Sequence, residues 1–250
     1  MNTNKILFLI SILILLTSTF FSCEKDSPKE QACKIVKIAI PGNANDTAYI
    51  NYAYDATDRI IKIDWGGGLY TGYTYETNKV TVKGYLDNAL SYTEIYTLNS
   101  NGQAINSTFA QAGASVSKTT IYEFDSEGYL TGKITTQASN NSKTETYTYV
   151  YENGNLTSET LDYSYDGPTA SNNSYEYFTD KPNLYEIKLP YLGKKSANMV
   201  KKTIYTIYTE TNFVLTTNYY YEYSSDGKIT KQVTTIGSGS ITSLPKYECR

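Results

Sequence analysis

Aromatic side chains are the residues in this sequence best suited to contact a ligand. The chain holds 27 tyrosines, 7 phenylalanines and 1 tryptophan among 250 residues. A tyrosine buries its ring while its hydroxyl reaches water or a backbone carbonyl, so rows of tyrosines suit a partly dry surface. Trp65 and Tyr70 lie beside Gly66-Gly67-Gly68 and form a candidate stacking platform for a glycan or a peptide. Cross-strand pairing that only holds hairpins together is the alternative role, and the sequence favours it.

Carboxylates are the second group able to do chemistry, because a pair of them can hydrolyse a glycosidic bond. The candidates are Glu76, Glu123, Glu152, Glu176 and Glu222. Each lies between or just after the aromatic residues of a predicted strand, which places most of them on the opposite, water-facing side. Since the pattern selects no two of them, we assign no catalytic residue.

Other chemistries lack their usual residues. There is no histidine, which is the commonest general base and transition-metal ligand. Asp55 with Asp58, and Asp125 with Glu127, offer oxygens for calcium, but their spacing is that of ordinary turns. The glycine run after Trp65 lacks the lysine and the helix of a phosphate-binding loop. A net charge of -3 provides no basic field for nucleic acid. We therefore predict a protein that is not an enzyme and holds no metal and no cofactor.

A recurring hairpin signature must position these residues. In Tyr122–Lys133, two aromatics alternate onto one strand face, Asp125 begins a turn, Gly128 supplies a positive φ and Leu130 opens the return strand. Related units begin at Tyr52, Tyr73, Tyr96, Tyr149, Tyr175 and Tyr221. In the unit at Tyr52, Asp58 replaces the turn glycine, which aspartate can do at modest cost.

The spacing of these units predicts the fold class. The second aromatic or aliphatic residue of each unit falls at 54, 75, 98, 124, 151, 177 and 223, so most spacings are about 21 to 27 residues. That period is two strands with two turns, and no stretch has a helical apolar stripe. We predict an all-β protein, an antiparallel up-and-down meander of roughly 12 or more strands, barrel-like or strongly curved.

The N-terminus predicts export. Residues 1–22 have a charged start at Lys5 and an apolar run over 6–16 that is too short to span a bilayer. Ser22-Cys23 resembles the lipobox of bacterial lipoproteins, in which the cysteine is cut and acylated, although Phe20 departs from the usual residue. We predict a lipoprotein signal peptide over 1–22, lipidation at Cys23 and a polar tether over 23–32. An ordinary signal peptide is the alternative.

The remaining cysteines predict how the chain ends are arranged. Cys33 opens the first strand and Cys249 lies next to the C-terminus. In an oxidising envelope compartment two such cysteines usually pair, which would place the last strand beside the first. Two free thiols are the alternative, because sequence does not show proximity.

One segment interrupts the hairpin rhythm within the single β domain predicted over 33–250. Residues 179–202 contain Pro182, Pro190 and Gly193, and among their lysines are Lys194, Lys195, Lys201 and Lys202. They predict a loop insert with a short helical turn, either over one rim of the sheet or, as the sequence favours, as a solvated crossover.

Taken together, these features resemble a known family. The lipoprotein signal, the repeated hairpins and the insert Gly193–Lys202 look like a family of Bacteroidetes lipoproteins, a domain of unknown function with a porin-like fold. That resemblance implies a many-stranded antiparallel barrel-like sheet and no assigned activity. The hairpins also bear a weaker resemblance to the YD repeats of large toxin shells.

The functional prediction follows from the predicted cellular location. We expect an outer-membrane lipoprotein, on the cell surface or the periplasmic face, held to the membrane by its N-terminal lipid and acting as a non-catalytic binding module. Its partner would be a glycan or another envelope protein. A structural or adhesive surface protein is the second hypothesis and a histidine-free glycoside hydrolase is the third. We reject a true transmembrane barrel, because an acyl anchor would be redundant and the strand positions opposite the aromatics carry Thr, Lys and Glu.

Overall fold

The structure is a computed structural model that describes residues 33–42, 47–165, 170–184 and 189–249. Within these residues the chain forms sixteen strands and one short 3-10 helix, Pro190–Leu192. The strands are β1 Cys33–Pro41, β2 Thr47–Tyr54, β3 Ile60–Gly66, β4 Leu69–Glu76, β5 Lys79–Leu86, β6 Ala89–Leu98, β7 Ala104–Gln111, β8 Lys118–Phe124, β9 Leu130–Gln137, β10 Asn140–Glu152, β11 Asn155–Tyr163, β12 Ser171–Pro182, β13 Asn198–Ile207, β14 Phe213–Tyr223, β15 Ile229–Ile236 and β16 Gly239–Cys249. The predicted signal peptide, Cys23 and the tether lie outside the described residues.

Each strand pairs with its neighbour in sequence, and β1 pairs with β16, so the sheet closes into a barrel. Every observed register is antiparallel. The predicted all-β antiparallel meander is therefore confirmed, and closure decides between a barrel and an open curved sheet. Among the described residues no helix is long and apolar enough to cross a membrane.

The turns at one end of the barrel have the polar acceptor and the residue with positive φ that were predicted from the sequence. Asp125 Oδ1 accepts hydrogen bonds from the backbone amides of Glu127, Gly128 and Tyr129, at 2.8 to 2.9 Å. Asn99 Oδ1 accepts in the same way from Asn101 and Gln103, at 2.9 and 3.0 Å. These turns also need a left-handed residue, with a φ of 92° at Gly128. Asp58 has a φ of 60°, as expected for the aspartate that replaces the turn glycine.

The compact unit Ile35–Glu248 contains two apolar clusters. The first consists of Ile35, Ile38, Tyr52, Ile60 and Ile63, on β1 to β3. The second consists of Val80, Val82, Tyr96, Ala104 and Tyr191. Its first four members lie on or beside β5 to β7, whereas Tyr191 comes from the 3-10 helix in the connection between β12 and β13.

A disulfide joins Cys33 to Cys249, and both cysteines lie outside the compact unit Ile35–Glu248. The sulfur atoms are 2.02 Å apart and the two residues are separated by 216 positions in sequence. The predicted pairing is confirmed, and so is the predicted neighbourhood of the first and last strands.

We expect the double substitution Cys33→Ser/Cys249→Ser to lower the free energy of unfolding by roughly 3 to 5 kcal/mol, because the cross-link limits the entropy of a very long unfolded loop. For a domain of this size that loss corresponds to a fall in Tm of about 10 °C. Calorimetry with and without reductant measures it. The double variant is its own control, because reductant should leave its Tm unchanged, and equal Tm values for both proteins would contradict the expectation.

Candidate ligand-binding site

The inner face of the barrel carries the aromatic residues. Tyr96, Tyr122, Tyr147 and Tyr149 line one cavity of about 470 Å³, and strand alternation places the residues two positions away on the same face. Residues directly opposite each other on neighbouring strands share a face of the sheet, so the inward face can be followed from strand to strand. Tyr73 pairs with Val82, and Val82 pairs with Glu94. The rows of tyrosines predicted from sequence therefore surround the lumen of the barrel.

The outward face is mostly polar, with exposed apolar side chains such as Ile95, Ile121 and Tyr220 among the polar ones. On β10, for example, the outward side chains are those of Thr144, Thr146, Thr148, Val150 and Glu152. The glutamates considered for hydrolysis, Glu76, Glu123, Glu152, Glu176 and Glu222, are all exposed, as the alternation predicted. Three of them pair with lysines: Glu76 with Lys79 at 2.9 Å, and Glu176 with Lys202 and Glu222 with Lys231, each at 2.8 Å. These carboxylates form no common site.

Charged groups missed by the sequence analysis line the cavity. Lys118, Lys133, Glu94 and Glu145 are among its lining residues. Glu159 lies opposite Tyr149 in the register of β10 and β11, and therefore faces the same interior. Glu94, Lys118 and Glu145 lie two or four positions from a cavity tyrosine on their own strand. Lys133 lies directly opposite Tyr147, and Glu159 lies directly opposite Tyr149. The sequence did indicate which charged residues face inward, because residues two positions apart on a strand share a face. Glu94 precedes Tyr96 by two positions and faces inward with it, whereas Glu123 directly follows Tyr122 and faces outward.

The interior carboxylates of Glu94, Glu145 and Glu159 already have partners. Glu94 Oε1 accepts a hydrogen bond from Ser107 Oγ at 2.9 Å. Glu159 Oε2 accepts one from the Tyr175 hydroxyl at 3.0 Å and a longer one from Asn173. Glu145 Oε1 lies 3.3 Å from Lys118 Nζ. The acceptors are thus held in place, each with further lone pairs available to a ligand hydroxyl.

Lys133 is the interior donor with the least protein contact. Its Nζ lies 3.6 Å from the centre of the Tyr147 ring, and it makes no hydrogen bond to the described residues. Burial lowers the pKa of Lys133, while the nearby carboxylates of Glu159, Glu94 and Glu145 raise it. The ammonium group is therefore placed at the cavity by cation–π contact and leaves its N–H groups available to a ligand.

The 3-10 helix Pro190–Leu192 forms part of the wall of this interior. Tyr191 is 2% exposed, and its ring centre lies 4.7 Å from that of Tyr96 and 6.5 Å from that of Tyr75. Leu192 lines the cavity itself. The prediction of a short helical turn is correct, but the solvated crossover is wrong at Tyr191, because the chain passes over the rim and buries this side chain in the barrel.

Backbone contacts fix this connection to two hairpin turns. The amide of Lys194 donates to the carbonyl of Gly128 at 2.9 Å, and the amide of Ala197 donates to the carbonyl of Gly154 at 2.9 Å. Gly193 has a φ of 91°, and a Cβ there would lie 2.9 Å from the Phe124 ring. Glycine is therefore required both by the backbone conformation and by the close contact.

The predicted stacking platform lies at the opposite end of the barrel. Trp65 is 40% exposed and lines a pocket of about 330 Å³ together with Tyr70, Leu69 and Leu86. Tyr70 stacks on Tyr85, with ring centres 4.3 Å apart. Trp65 and Tyr70 thus share one pocket, and their role as a ligand platform stays a prediction.

Solved structures resemble this barrel. A porin-like protein from Bacteroides uniformis matches with a TM-score of 0.59 at 15% identity, over 86% of this chain and 98% of the other. The chain has the porin-like fold. A second porin-like protein, from Bacteroides vulgatus, matches with a TM-score of 0.57 at 13% identity, over 85% and 97% of the two chains. No protein-family model matches the sequence, and no curated protein is significantly similar to it. At such low identity the porin-like likeness concerns the fold alone.

We expect Tyr191→Ala to lower the free energy of unfolding by about 3 to 5 kcal/mol, because it empties a buried aromatic site within a porin-like barrel. Leu184→Ala is the matched control, since Leu184 lies in the same connection and is 47% exposed. That control should change stability by about 0.5 kcal/mol or less. Equal effects of the two substitutions in urea unfolding would show that Tyr191 is not packed in the lumen.

The interior tyrosines also predict alkaline sensitivity. Burial raises the pKa of Tyr54, Tyr73 and Tyr75 to about 12 each, and it raises the pKa of Tyr96, Tyr149 and Tyr175 as well. An unfolded tyrosine ionises near pH 10, so above that pH the unfolded chain has lost protons that the folded chain keeps.

The contribution of these tyrosines to stability should therefore be constant below about pH 9.5 and fall between about pH 10 and pH 12. Urea unfolding measured at about pH 8.5 and about pH 11 tests this, together with phenolate absorbance in native and denaturing buffer. Equal numbers of ionised tyrosines in the two buffers at the higher pH would refute it.

Proposed function

We propose that this chain is a non-catalytic envelope protein, anchored through Cys23, that captures a glycan fragment in the lumen of its barrel. The observation that carries the proposal is the cavity lined by Tyr96, Tyr122, Tyr147 and Tyr149 together with charged groups. Its volume of about 470 Å³ lies in the range of small-molecule sites, about 300 to 1,000 Å³.

The chemistry of the lining favours a neutral, polyhydroxylated ligand. Tyrosine rings present apolar faces to the C–H groups of a sugar, while Glu94, Glu145 and Glu159 accept hydrogen bonds and Lys133 donates them. Glu94, Glu145 and Glu159 against Lys118 and Lys133 leave one net negative charge, so neither a strongly anionic nor a strongly cationic ligand is matched by the interior.

The envelope location is supported by the predicted lipobox and by the disulfide, since structural disulfides persist in oxidising compartments. The many threonines, lysines and glutamates on the outer wall favour a barrel that faces water along its sides, because a membrane-spanning wall would carry an apolar band. The porin-like relatives supply the fold without an activity, and the interior glutamates are engaged with Ser107, Tyr175 and Lys118. A binding role therefore takes precedence over hydrolysis.

A glycan array followed by calorimetric titration of the best ligand tests the proposal. Lys133→Met should weaken binding about tenfold or more, because it removes one charge-assisted donor and keeps the packing of the side chain. Lys231→Met is the matched control, since Lys231 pairs with Glu222 on the outer wall, and its affinity should be unchanged.

Two outcomes would overturn the lumen as the site. If Trp65→Ala abolished binding and Lys133→Met did not, the ligand would occupy the pocket of Trp65 and Tyr70. If the bound glycan were cleaved, and a single carboxylate substitution stopped the cleavage, the protein would be a glycoside hydrolase. Absence of any saturable glycan binding would contradict the proposed function as a whole.

A further inference from the structure

A pair of stacked aromatic rings connects the lumen cavity with the pocket of Trp65. Phe109 lines the lumen cavity, and Tyr92 lines the pocket of Trp65. The centres of these two rings are 5.4 Å apart, and their planes are inclined by 28°. The cavity and the pocket therefore meet at one aromatic pair.

The strand register places the pocket of Trp65 on the inward face of the sheet. Tyr92 pairs with Gly84, and Gly84 pairs with Thr71; all three line this pocket. Glu94 lies two positions after Tyr92 and lines the lumen cavity, so alternation gives both residues the same face. The pocket is thus the part of the interior that lies next to the β3–β4 and β5–β6 hairpins.

Gly84 makes room for the Tyr92 ring. A Cβ at Gly84 would overlap this ring, so only a glycine lets the ring lie against β5. From that position the ring also contacts Phe109. Contacts with the strand and with Phe109 therefore hold the Tyr92 ring in place in the absence of a ligand.

The lining of the pocket suits a sugar. Trp65 is 40% exposed and offers an aromatic face to C–H groups. Thr71, Ser91 and Tyr92 line the same pocket and carry hydroxyl groups that can donate or accept hydrogen bonds. This mixture matches the C–H and O–H groups of a sugar ring, whereas an acyl chain would leave the hydroxyl groups without partners.

We propose that the pocket of Trp65 is a second subsite for the same glycan, which extends from the lumen cavity past Phe109 and Tyr92 to Trp65. This inference rests on the proposed function of the lumen. It narrows the ligand to an oligosaccharide long enough to occupy both the cavity of about 470 Å³ and the pocket of about 330 Å³.

The other end of the barrel supports entry of the glycan from the side of Trp65. At that end the connection between β12 and β13 buries Tyr191, and Leu192 borders the cavity. The chain also enters the compact unit there, where the Tyr54 hydroxyl donates to the carbonyl of Ile35 at 2.6 Å. Since the predicted lipid anchor precedes β1, the Trp65 pocket would lie at the end of the barrel away from it.

Calorimetric titration with neutral oligosaccharides of graded length tests the second subsite. The probes are the cello-, manno-, xylo- and malto-oligosaccharides, each from the disaccharide to the hexasaccharide. In a series that binds, we expect the affinity of the hexasaccharide to exceed that of the disaccharide by about tenfold or more, because only the longer ligand reaches Trp65.

Matched variants assign this gain to the pocket. Trp65→Ala should weaken hexasaccharide binding about tenfold and leave disaccharide binding unchanged, whereas Lys133→Met should weaken binding at every length. Tyr220→Ala is the control, because Tyr220 is 58% exposed on the outer wall of β14, and it should change neither affinity. Circular dichroism verifies that each variant keeps its strand signal.

The fluorescence of Trp65 gives a second measurement, because it is the single tryptophan of the chain. The hexasaccharide should shift its emission and protect it from quenching by acrylamide, and the disaccharide should do neither. Leu86→Ser keeps this reporter and should reduce the protection, since Leu86 lines the same pocket.

Four results would overturn the second subsite: affinity that does not depend on length, a Trp65→Ala effect that is equal at all lengths, the same effect in Tyr220→Ala, or no binding by any series. A shift of Trp65 emission caused by lauric acid and not by the hexasaccharide would assign the pocket to an acyl chain instead. Failure of the proposed function has a different signature, because no disaccharide would then show binding that depends on Lys133.

Discussion

Closure of the sheet between β1 and β16 is the constraint from which the other features of this molecule follow. An antiparallel meander has two edge strands with unpaired amides and carbonyls, and pairing those edges with each other removes both. With sixteen strands, however, the resulting lumen is too wide for wall side chains to fill, whereas about eight strands leave a fully packed interior. The protein must therefore stabilise a wide interior by other means, and its tyrosines and the β12–β13 connection serve that purpose.

Tyrosine suits such a lumen better than phenylalanine or leucine. Its ring packs against neighbours, as Tyr96 does with Tyr122 at 5.9 Å and with Tyr191, while its hydroxyl can bond a partner at the boundary of the cavity. The hydroxyl of Tyr175 on Glu159 and that of Tyr177 on the Leu156 carbonyl are two examples. The lumen thus combines aromatic rings with charged groups, whereas the outer wall carries threonine, lysine and glutamate together with a few exposed apolar residues such as Ile121. A porin-like fold is therefore compatible with a wall that faces water on its outer side.

Local rules explain why much of the fold was predictable. A turn such as Asp125–Gly128 can be recognised from four residues, because one carboxylate accepts hydrogen bonds from three amides and one glycine takes the positive φ. Alternation then fixes which face each residue occupies, and this was sufficient to place Glu123 and Glu222 in water. The pairing of Cys33 with Cys249 followed from compartment and number, not from any knowledge of distance.

What escaped prediction depends on contacts between distant parts of the chain. Nothing in Leu189–Gly193 indicates that Tyr191 packs on Tyr96, because the two are far apart in sequence and meet only when the connection folds over the rim. The interior charges were missed for a different reason. Glu94, Lys133 and Glu159 are in phase with inward residues, but whether a phase faces a dry core or a cavity depends on the number of strands.

The alternation rule also stops at the strand ends, and there the two ends of the barrel become chemically distinct. One end is polar and is partly covered by the connection that holds Tyr191, whose neighbour Leu192 borders the cavity on that side. Lys118, the first residue of β8, and its partner Glu145 border the cavity toward the end formed by the β3–β4, β5–β6 and β7–β8 hairpins. The lining of the interior thus changes along the barrel, from aromatic and aliphatic side chains at the covered end to a charged pair at the other end. A ligand in the proposed site would therefore contact aromatic and aliphatic groups toward the covered end and the pair of Lys118 and Glu145 toward the other end.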